Sequence, residues 1–170
     1  MDIEIRPFEG SLKAWFDAVD ISFGLRVVEE DLPVLEAYAE LDRAIAAYAG
    51  DRVVGTAGIF TFDLSIPGGR MPAAGVTMVG VHPTHRRRGI LTAMMRAQLD
   101  AIHARGEPLA ILWASEATIY GRFGYGLATF KASIEIERAR AGFRGVRQGS
   151  RDRGEAALLS PGGQMPAYHS

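Results

Sequence analysis

The residues of this chain best suited to bind an anion are three consecutive arginines and a glycine: Arg86, Arg87, Arg88 and Gly89. The apolar residues 76–81 precede them, and an amphipathic segment begins directly after the glycine. A strand, a basic loop, a glycine and a helix in this order aim backbone N–H groups at phosphate oxygens, to which arginines add charge-assisted hydrogen bonds. The pattern predicts a phosphate-binding loop, and a solvated basic turn is the alternative.

Two other phosphate-binding patterns are excluded by residue type. A P-loop needs Gly-Lys followed by Ser or Thr, and the chain contains no Gly-Lys pair. A dinucleotide-binding turn needs three spaced glycines, whereas residues 86–92 contain only Gly89. The phosphate would therefore belong to another class of ligand.

A tyrosine, Tyr120, is the second candidate for chemistry. It stands in the Gly-rich and aromatic segment 119–126, which follows Ser115 and Glu116. A phenol can donate a proton to a leaving group, as general acid catalysis requires. From residue type alone, a half-buried packing aromatic is the commoner role of such a tyrosine.

Hydrophobic periodicity predicts a mixed α/β domain that would position these residues. Strands are predicted at residues 3–7, 44–49, 52–63, 75–81, 109–114 and 129–138, and helices at 12–23, 29–40 and 90–104. The Gly- and Pro-rich residues 66–74 are predicted to form a loop. Gly80, inside a strand, indicates a β-bulge or the close approach of another group to the backbone.

The periodic pattern ends near residue 141. Residues 142–170 are rich in Gly, Arg and Ser and have no sustained period, which is typical of a linker. We therefore expect one folded domain over residues 1–141 and a linker-like or truncated tail over residues 142–170.

Composition excludes several classes of function. The chain has no cysteine, which excludes disulfides, thiolate catalysis and cysteine-ligated zinc. His82 and His85 lack a carboxylate partner at suitable spacing, so no metal site is expected. A net charge of −1 argues against nucleic-acid binding, and no apolar run approaches the ~20 residues of a membrane helix. The acidic N-terminal segment is unlike a signal peptide, so we expect a cytoplasmic protein.

The two candidate motifs together resemble those of the GCN5-related N-acetyltransferases (GNAT). Residues 86–91, RRRGIL, are similar to the Arg/Gln-x-x-Gly-x-Gly/Ala loop of that superfamily, with Leu91 in place of the small residue. Residues 74–91, AGVTMVGVHPTHRRRGIL, and 115–126, SEATIYGRFGYG, most closely resemble the enhanced-intracellular-survival (Eis) aminoglycoside acetyltransferases. The resemblance covers about residues 1–140 and corresponds to the N-terminal domain of that branch.

This resemblance implies a fold and a coenzyme. The fold is a mixed, mostly antiparallel sheet, splayed between its central strands at residues 76–81 and 109–114, with helices on both faces. The coenzyme is acetyl-CoA, a cosubstrate whose pantetheine arm enters the gap between those strands. The residues thereby implicated in binding it are Val79, Gly80, Val81, Arg86, Arg87, Arg88, Gly89, Ile90, Leu91, Thr92, Ser115 and Glu116.

The resemblance also implies a reaction. The acetyl group would pass directly to a primary amine, of an aminoglycoside-like small molecule or a lysine-type peptide, while Tyr120 protonates the departing thiolate. Neither nucleic acid nor membrane is an expected partner, and a homo-oligomer is compatible with the sequence. A second interpretation stays open: in the Eis branch the chain runs on, and its terminal carboxylate acts as the base. This chain would then be a catalytically incomplete, coenzyme A-binding fragment or assembly module.

Overall fold

The computed structural model describes residues 2–24, 26–130 and 135–136. The chain divides into a compact unit, Met1–Ala128, and a second unit, Thr129–Ser170. In the second unit residues 129, 130, 135 and 136 are described, and none of these is in a helix or strand. The other residues of the strand predicted at 129–138, and the tail predicted at 142–170, lie outside the described residues.

The first unit is built on a five-stranded sheet whose strands lie side by side in chain order. These strands are β1 (Ile3–Pro7), β2 (Ile45–Ala49), β3 (Arg52–Ile66), β4 (Gly69–Val81) and β5 (Leu109–Leu112). Neighbours from β1 to β4 are antiparallel, whereas β4 and β5 pair in parallel. A parallel pair needs a crossover connection, which contains the helix Ile90–Ala104. The predicted mixed, mostly antiparallel sheet is confirmed.

Helices cover both faces of this sheet, as predicted. On one face the helix α1 (Leu12–Phe23) packs Trp15 into a cluster with Ala46 of β2. On the other face the long helix Ile90–Ala104 packs Met94 into a cluster with Ala47. Adjacent residues of β2 thus serve opposite faces, because side chains alternate along a strand.

The helix predicted at residues 29–40 is shorter than expected. A single 3-10 turn, Glu29–Asp31, leads into the five-residue helix α2 (Leu32–Glu36). Within α2 only Leu35 is buried, so little apolar contact favours a longer helix. The side chain of Glu40 instead accepts a hydrogen bond from the backbone N–H of Thr61 at 2.7 Å, and this ties the segment to β3. The long helix Ile90–Ala104, which matches its prediction, is α3.

The prediction of a loop at residues 66–74 is wrong. The pairing of β3 with β4 continues as far as Ile66 and Gly69, so only Pro67 and Gly68 form the turn. Gly68 has a φ of 88°, a left-handed conformation that glycine adopts without strain. The concentration of Gly and Pro therefore marks the tip of a long hairpin. Strand β5, like the hairpin, differs from its prediction: it ends at Leu112, two residues earlier than expected.

A buried ion pair joins two loops of the unit. Arg43, in the 3-10 turn Leu41–Arg43 before β2, contacts the carboxylate of Glu107, which precedes β5. The two side chains are only 2% and 6% exposed. Arg43 also donates to the hydroxyl of Thr61 at 2.6 Å. The pair therefore holds the start of β5 against the segment that leads into β2.

Candidate active site

The end of β4 carries a β-bulge. Gly58 of β3 pairs with Thr77, but Thr56 pairs with Gly80, so Met78 and Val79 lie opposite the single residue Ala57. Met78 has a φ of 52°, which is uncommon for a residue other than glycine. The irregularity predicted from Gly80 is confirmed, and it lies directly before that glycine.

Gly80 itself is required by a close approach of α1. A Cβ atom at this position would lie 2.6 Å from the Cβ of Ser22 and 3.1 Å from the ring of Phe23. Both residues belong to the last turn of α1. The close approach to the backbone that Gly80 predicts is therefore present as well, and the approaching groups are side chains of α1.

The pairing of β4 with β5 ends just before the bulge. Their parallel pairing runs from Ala73–Leu109 to Val76–Leu112, and β4 then continues to Val81 after β5 has ended. Within the described residues no strand pairs with residues 77–81 on the β5 side. The edge of residues 79–81 that faces away from β3 is thus left without a strand partner among the described residues, and the splay of the two strands stays a prediction.

The segment between β4 and α3 places an uncapped helix start at the same end of the sheet. A 3-10 turn, Pro83–His85, follows β4, and Gly89 is the N-cap of α3 with a φ of 78°. Gly89 offers no side chain to the first turn, and Ala93 makes the first intrahelical hydrogen bond, to the carbonyl of Gly89 at 3.0 Å. The amides of residues 90–92 therefore lack intrahelical partners, and the helix dipole adds positive potential there.

The three arginines of the loop differ in their contacts. Arg86 turns back toward the sheet, and its Nε donates to the carbonyl of Val81 at 3.3 Å. Arg87 has a φ of 61° and, like Arg88, is exposed. Among the described residues, neither Arg87 nor Arg88 has a hydrogen-bond or ion-pair partner for its side chain. Two cations thus stand free beside the open helix start.

The entry to the loop is stiffened by His82. Its Nε2 lies 2.7 Å from Nη2 of Arg52, and the hydroxyl of Thr84 lies 2.8 Å from its Nδ1 and equally close to Nδ1 of His85. Burial, the Arg52 guanidinium and His85 together lower the pKa of His82. A neutral imidazole can accept from Arg52, whereas an imidazolium cannot.

In the part of the chain that is described, no group of three or more acidic, His or Cys residues could hold a metal.

Tyr120 lies on the segment that follows β5, between the 3-10 turns Ala117–Ile119 and Gly121–Phe123. Its ring is half-buried and meets the ring of Tyr125 edge-on, with 5.9 Å between ring centroids. Burial, and then the nearby Glu116 carboxylate, raise the pKa of Tyr120. The phenol is therefore protonated at neutral pH and available as a donor.

The environment of the Tyr125 hydroxyl is a feature that the sequence did not predict. Tyr125 stands between Gly124 and Gly126. Burial, followed by the neighbouring Tyr120, raises its pKa to about 12. Its hydroxyl is buried and has no hydrogen-bond partner among the described residues.

Ser115 and Glu116 lie on the exposed stretch between β5 and Tyr120. Since β4 and β5 are parallel neighbours, their carboxyl ends share one edge of the sheet. The topology therefore brings the segment that begins with Ser115 and Glu116 to the same edge as residues 79–81 and the arginine loop.

The chain matches the acetyltransferase (GNAT) domain family over residues 5–128. It is 50% identical over 128 residues to an uncharacterized N-acetyltransferase of Streptomyces avermitilis, covering 74% of this chain and 31% of that protein. It is 46% identical over 95 residues to the N-acetyltransferase Eis of Mycobacterium tuberculosis, covering 55% and 24% respectively. The chain thus spans less than a third of the length of either relative.

A solved structure shows the same architecture. Eis1 from Mycobacterium abscessus superposes with a TM-score of 0.65 at 42% sequence identity, over 75% of this chain and 32% of that one. The described fold accordingly matches one part of a longer relative.

No described helix is long and apolar enough to cross a membrane.

Proposed function

Because this chain belongs to the GNAT acetyltransferase family, we propose that it transfers the acetyl group of acetyl-CoA to a primary amine. One observation carries the proposal. The bulged end of β4 borders the gap beside β5 and leads into a helix start with unpartnered amides and two free arginines. These features suit the two ends of an acyl-CoA, a thioester at the gap and a diphosphate at the helix.

The diphosphate would bind at the start of α3. Amides of Ile90, Leu91 and Thr92 would donate to its oxygens, and Arg87 and Arg88 would add charge-assisted hydrogen bonds. Gly89 would let the backbone approach, since nothing lies within 4 Å of where its Cβ would be. Arg86 would act mainly by holding the loop in place.

The pantetheine arm would lie along Val79, Gly80 and Val81. Backbone groups on the β5 side of this stretch face the gap, and an amide-rich arm can bond to them as a further strand would. Ser115 and Glu116, across the gap, would supply additional contacts. The exposure of both side chains supports such a role.

The chemistry would be a direct transfer. The neutral amine attacks the thioester carbonyl carbon, a C–N bond forms, and the C–S bond breaks to release the thiolate of coenzyme A. Tyr120 donates its phenolic proton to that thiolate and recovers one from solvent, while the proton of the attacking nitrogen leaves to water or a base. A free thiol has a pKa near 8.5, so the thiolate needs only a hydrogen bond or a proton to leave. No covalent enzyme intermediate is needed, which agrees with the absence of cysteine.

The acceptor class follows from the relatives only in outline. Two relatives carry the name N-acetyltransferase, and an amine is therefore the expected acceptor, either a small molecule or a lysine-type peptide. We propose a cytoplasmic setting, where acetyl-CoA is available. We also propose that the catalytic domain extends through residue 141, where the periodic pattern of the sequence ends.

A second candidate function has its own observation. The chain spans 31% of the length of its Streptomyces avermitilis relative, which supports a role as one module of a longer assembly. It would then bind acetyl-CoA as a non-catalytic module.

Calorimetry with acetyl-CoA and a thiol-release assay on a panel of amines test both candidates on the 170-residue chain. Binding with turnover supports the transferase, and binding without turnover on any amine supports the module. Absence of acetyl-CoA binding would contradict both.

A further inference from the structure

Three residues are both polar and buried in the described part of the chain: Arg43, Thr56 and Gln98. Arg43 has an ion-pair partner, Glu107, and its role is to join two loops. Thr56 and Gln98 have no charged partner, and both bond to backbone carbonyls beside the bulge of β4. A buried polar group costs free energy unless it is hydrogen-bonded, and these two side chains meet that requirement at the bulge.

Thr56 holds the bulge from β3. Its hydroxyl donates to the carbonyl of Met78 at 2.8 Å, and its side chain is fully buried. Met78 is the residue with a φ of 52°. The bond therefore holds the strained peptide unit in its orientation. Such a backbone conformation persists only where its surroundings over-determine it.

Gln98, on α3, makes a hydrogen bond to β3, the strand that neighbours the bulge. Its Nε2 donates to the carbonyl of Gly58 at 2.9 Å, and the residue is 1% exposed. Gly58 pairs with Thr77, the last β4 residue in regular register before the bulge. The bond fixes where the register changes.

A third contact reaches the bulge from α1. The indole Nε1 of Trp15 donates to the sulfur of Met78 at 3.1 Å. The bulge is thus held by side chains from both faces of the sheet and from the neighbouring strand.

We propose that Thr56 and Gln98 are positioning residues of the transfer reaction, which fix the bulge so that the backbone of residues 79–81 faces the gap where the acyl group reacts. This inference rests on the proposed function. Shifting a strand by one residue turns every side chain and amide to the opposite side. Loss of the bulge would therefore turn the backbone of residues 79–81 to the opposite side, whereas the amides at the start of α3 belong to the helix itself.

The test uses Thr56→Val and Gln98→Met, which remove the hydrogen bonds at similar side-chain volume. We expect kcat for acetylation of an amine to fall about tenfold to a hundredfold, because small misplacements of reacting groups have effects of that size. The Kd for acetyl-CoA should change less than kcat does, since the charge-assisted phosphate contacts at the start of α3 do not use the bulge.

Two further variants separate positioning from stability. Thr56→Ser keeps the hydroxyl and should restore most of kcat. Met95→Leu alters a buried residue of α3 one turn from Gln98, and should leave kcat unchanged. Thermal unfolding of each variant shows the stability effect, and hydrogen exchange of the amides of residues 78–80 reports the bulge directly.

The outcomes are distinct. Normal kcat in folded Thr56→Val and Gln98→Met would overturn the inference, as would an equal loss of kcat in Met95→Leu. Failure of the wild-type chain to turn over any amine would instead contradict the proposed function. Should one variant not fold, the other decides, because each removes one of the two bonds.

Discussion

The Nε of Arg86 lies 3.3 Å from the carbonyl oxygen of Val81, which fastens the arginine loop back onto the strand that it leaves. A second, longer contact of 3.5 Å joins its Nη2 to the carbonyl of Ser22 at the end of α1. Arg86 therefore links the helix on one face of the sheet to the loop that begins the helix on the other. The two arginines that follow make no such contact within the described residues.

This difference predicts different effects for alanine substitutions in the loop. Arg87→Ala and Arg88→Ala should each weaken acetyl-CoA binding by about 1.5–3 kcal/mol, because each removes charge-assisted hydrogen bonds. Arg86→Ala should instead lower the free energy of unfolding by about 1 kcal/mol and weaken binding less. Calorimetry and urea unfolding measure the two quantities.

The exposed Arg96 of α3 supplies the control for this series. Arg96→Ala makes the same change in net charge as the loop variants. Because Arg96 lies away from the start of the helix, this variant should leave binding nearly unchanged. Equal losses of affinity in all four variants would show that general charge attraction, not the loop, holds the coenzyme.

Tyr120→Phe should lower kcat by about a hundredfold without changing the Kd for acetyl-CoA, because it removes only the proton donor. Burial raises the pKa of Tyr120 above its ordinary value of 10.0. A raised pKa keeps the phenol protonated to higher pH, so its acid function should be complete at neutral pH and lost as pH rises through that pKa. Steady-state rates at saturating acetyl-CoA, measured across pH, provide the check.

Tyr125→Phe is the matched control for Tyr120, since the two rings touch. The Tyr125 hydroxyl is buried and has no hydrogen-bond partner among the described residues. Its removal should therefore keep kcat and leave the free energy of unfolding unchanged or about 1 kcal/mol higher. A large loss of kcat in this variant, with Tyr120→Phe active, would exchange the roles of the two tyrosines.

Gly80→Ala should destabilise the fold. The new methyl group would lie 2.6 Å from the Cβ of Ser22, so α1 or β4 must shift, and overpacking of this kind costs about 1–3 kcal/mol. Gly69→Ala is the control, because nothing lies within 4 Å of its Cβ position and its φ is not left-handed. Urea unfolding of both variants would contradict the packing argument if their losses were equal.

Glu107→Gln should destabilise the protein by about 3–5 kcal/mol, because it leaves the Arg43 guanidinium buried without a compensating charge. Arg43→Met combined with Glu107→Leu should be less damaging than the single change, since neither charge is then buried. Chemical denaturation of the single and double variants measures the difference. An additive loss in the double variant would show that the two side chains do not act as a pair.

Local pattern was sufficient to predict α1, α3 and the strands β1 and β2. Helix α1 has Ser11 as its N-cap and ends at Gly24 with a φ of 69°, and its apolar residues recur at helical spacing. Such signals depend on neighbours a few positions apart, which a single sequence displays completely. The position of the basic loop of residues 86–89 between a strand and a helix was also predictable, whereas its binding of phosphate stays a prediction.

Prediction failed where distant segments decide the structure. Residues 37–40 leave the helical path because Glu40 bonds to Thr61, and residues 69–74 form a strand because β3 continues beside them. Neither partner is adjacent in sequence, so no local pattern could show the preference.

The sequence by itself determined which groups are available for chemistry: a basic loop before an amphipathic helix, a tyrosine in a glycine-rich segment, and no cysteine. Only the tertiary structure decided how those groups are used. It directs Arg86 to backbone carbonyls, leaves Arg87 and Arg88 exposed, and places Thr56 and Gln98 against the bulge. The physical reason is that hydrogen bonds and burial depend on distances between remote segments, and those distances exist only after the strands have paired.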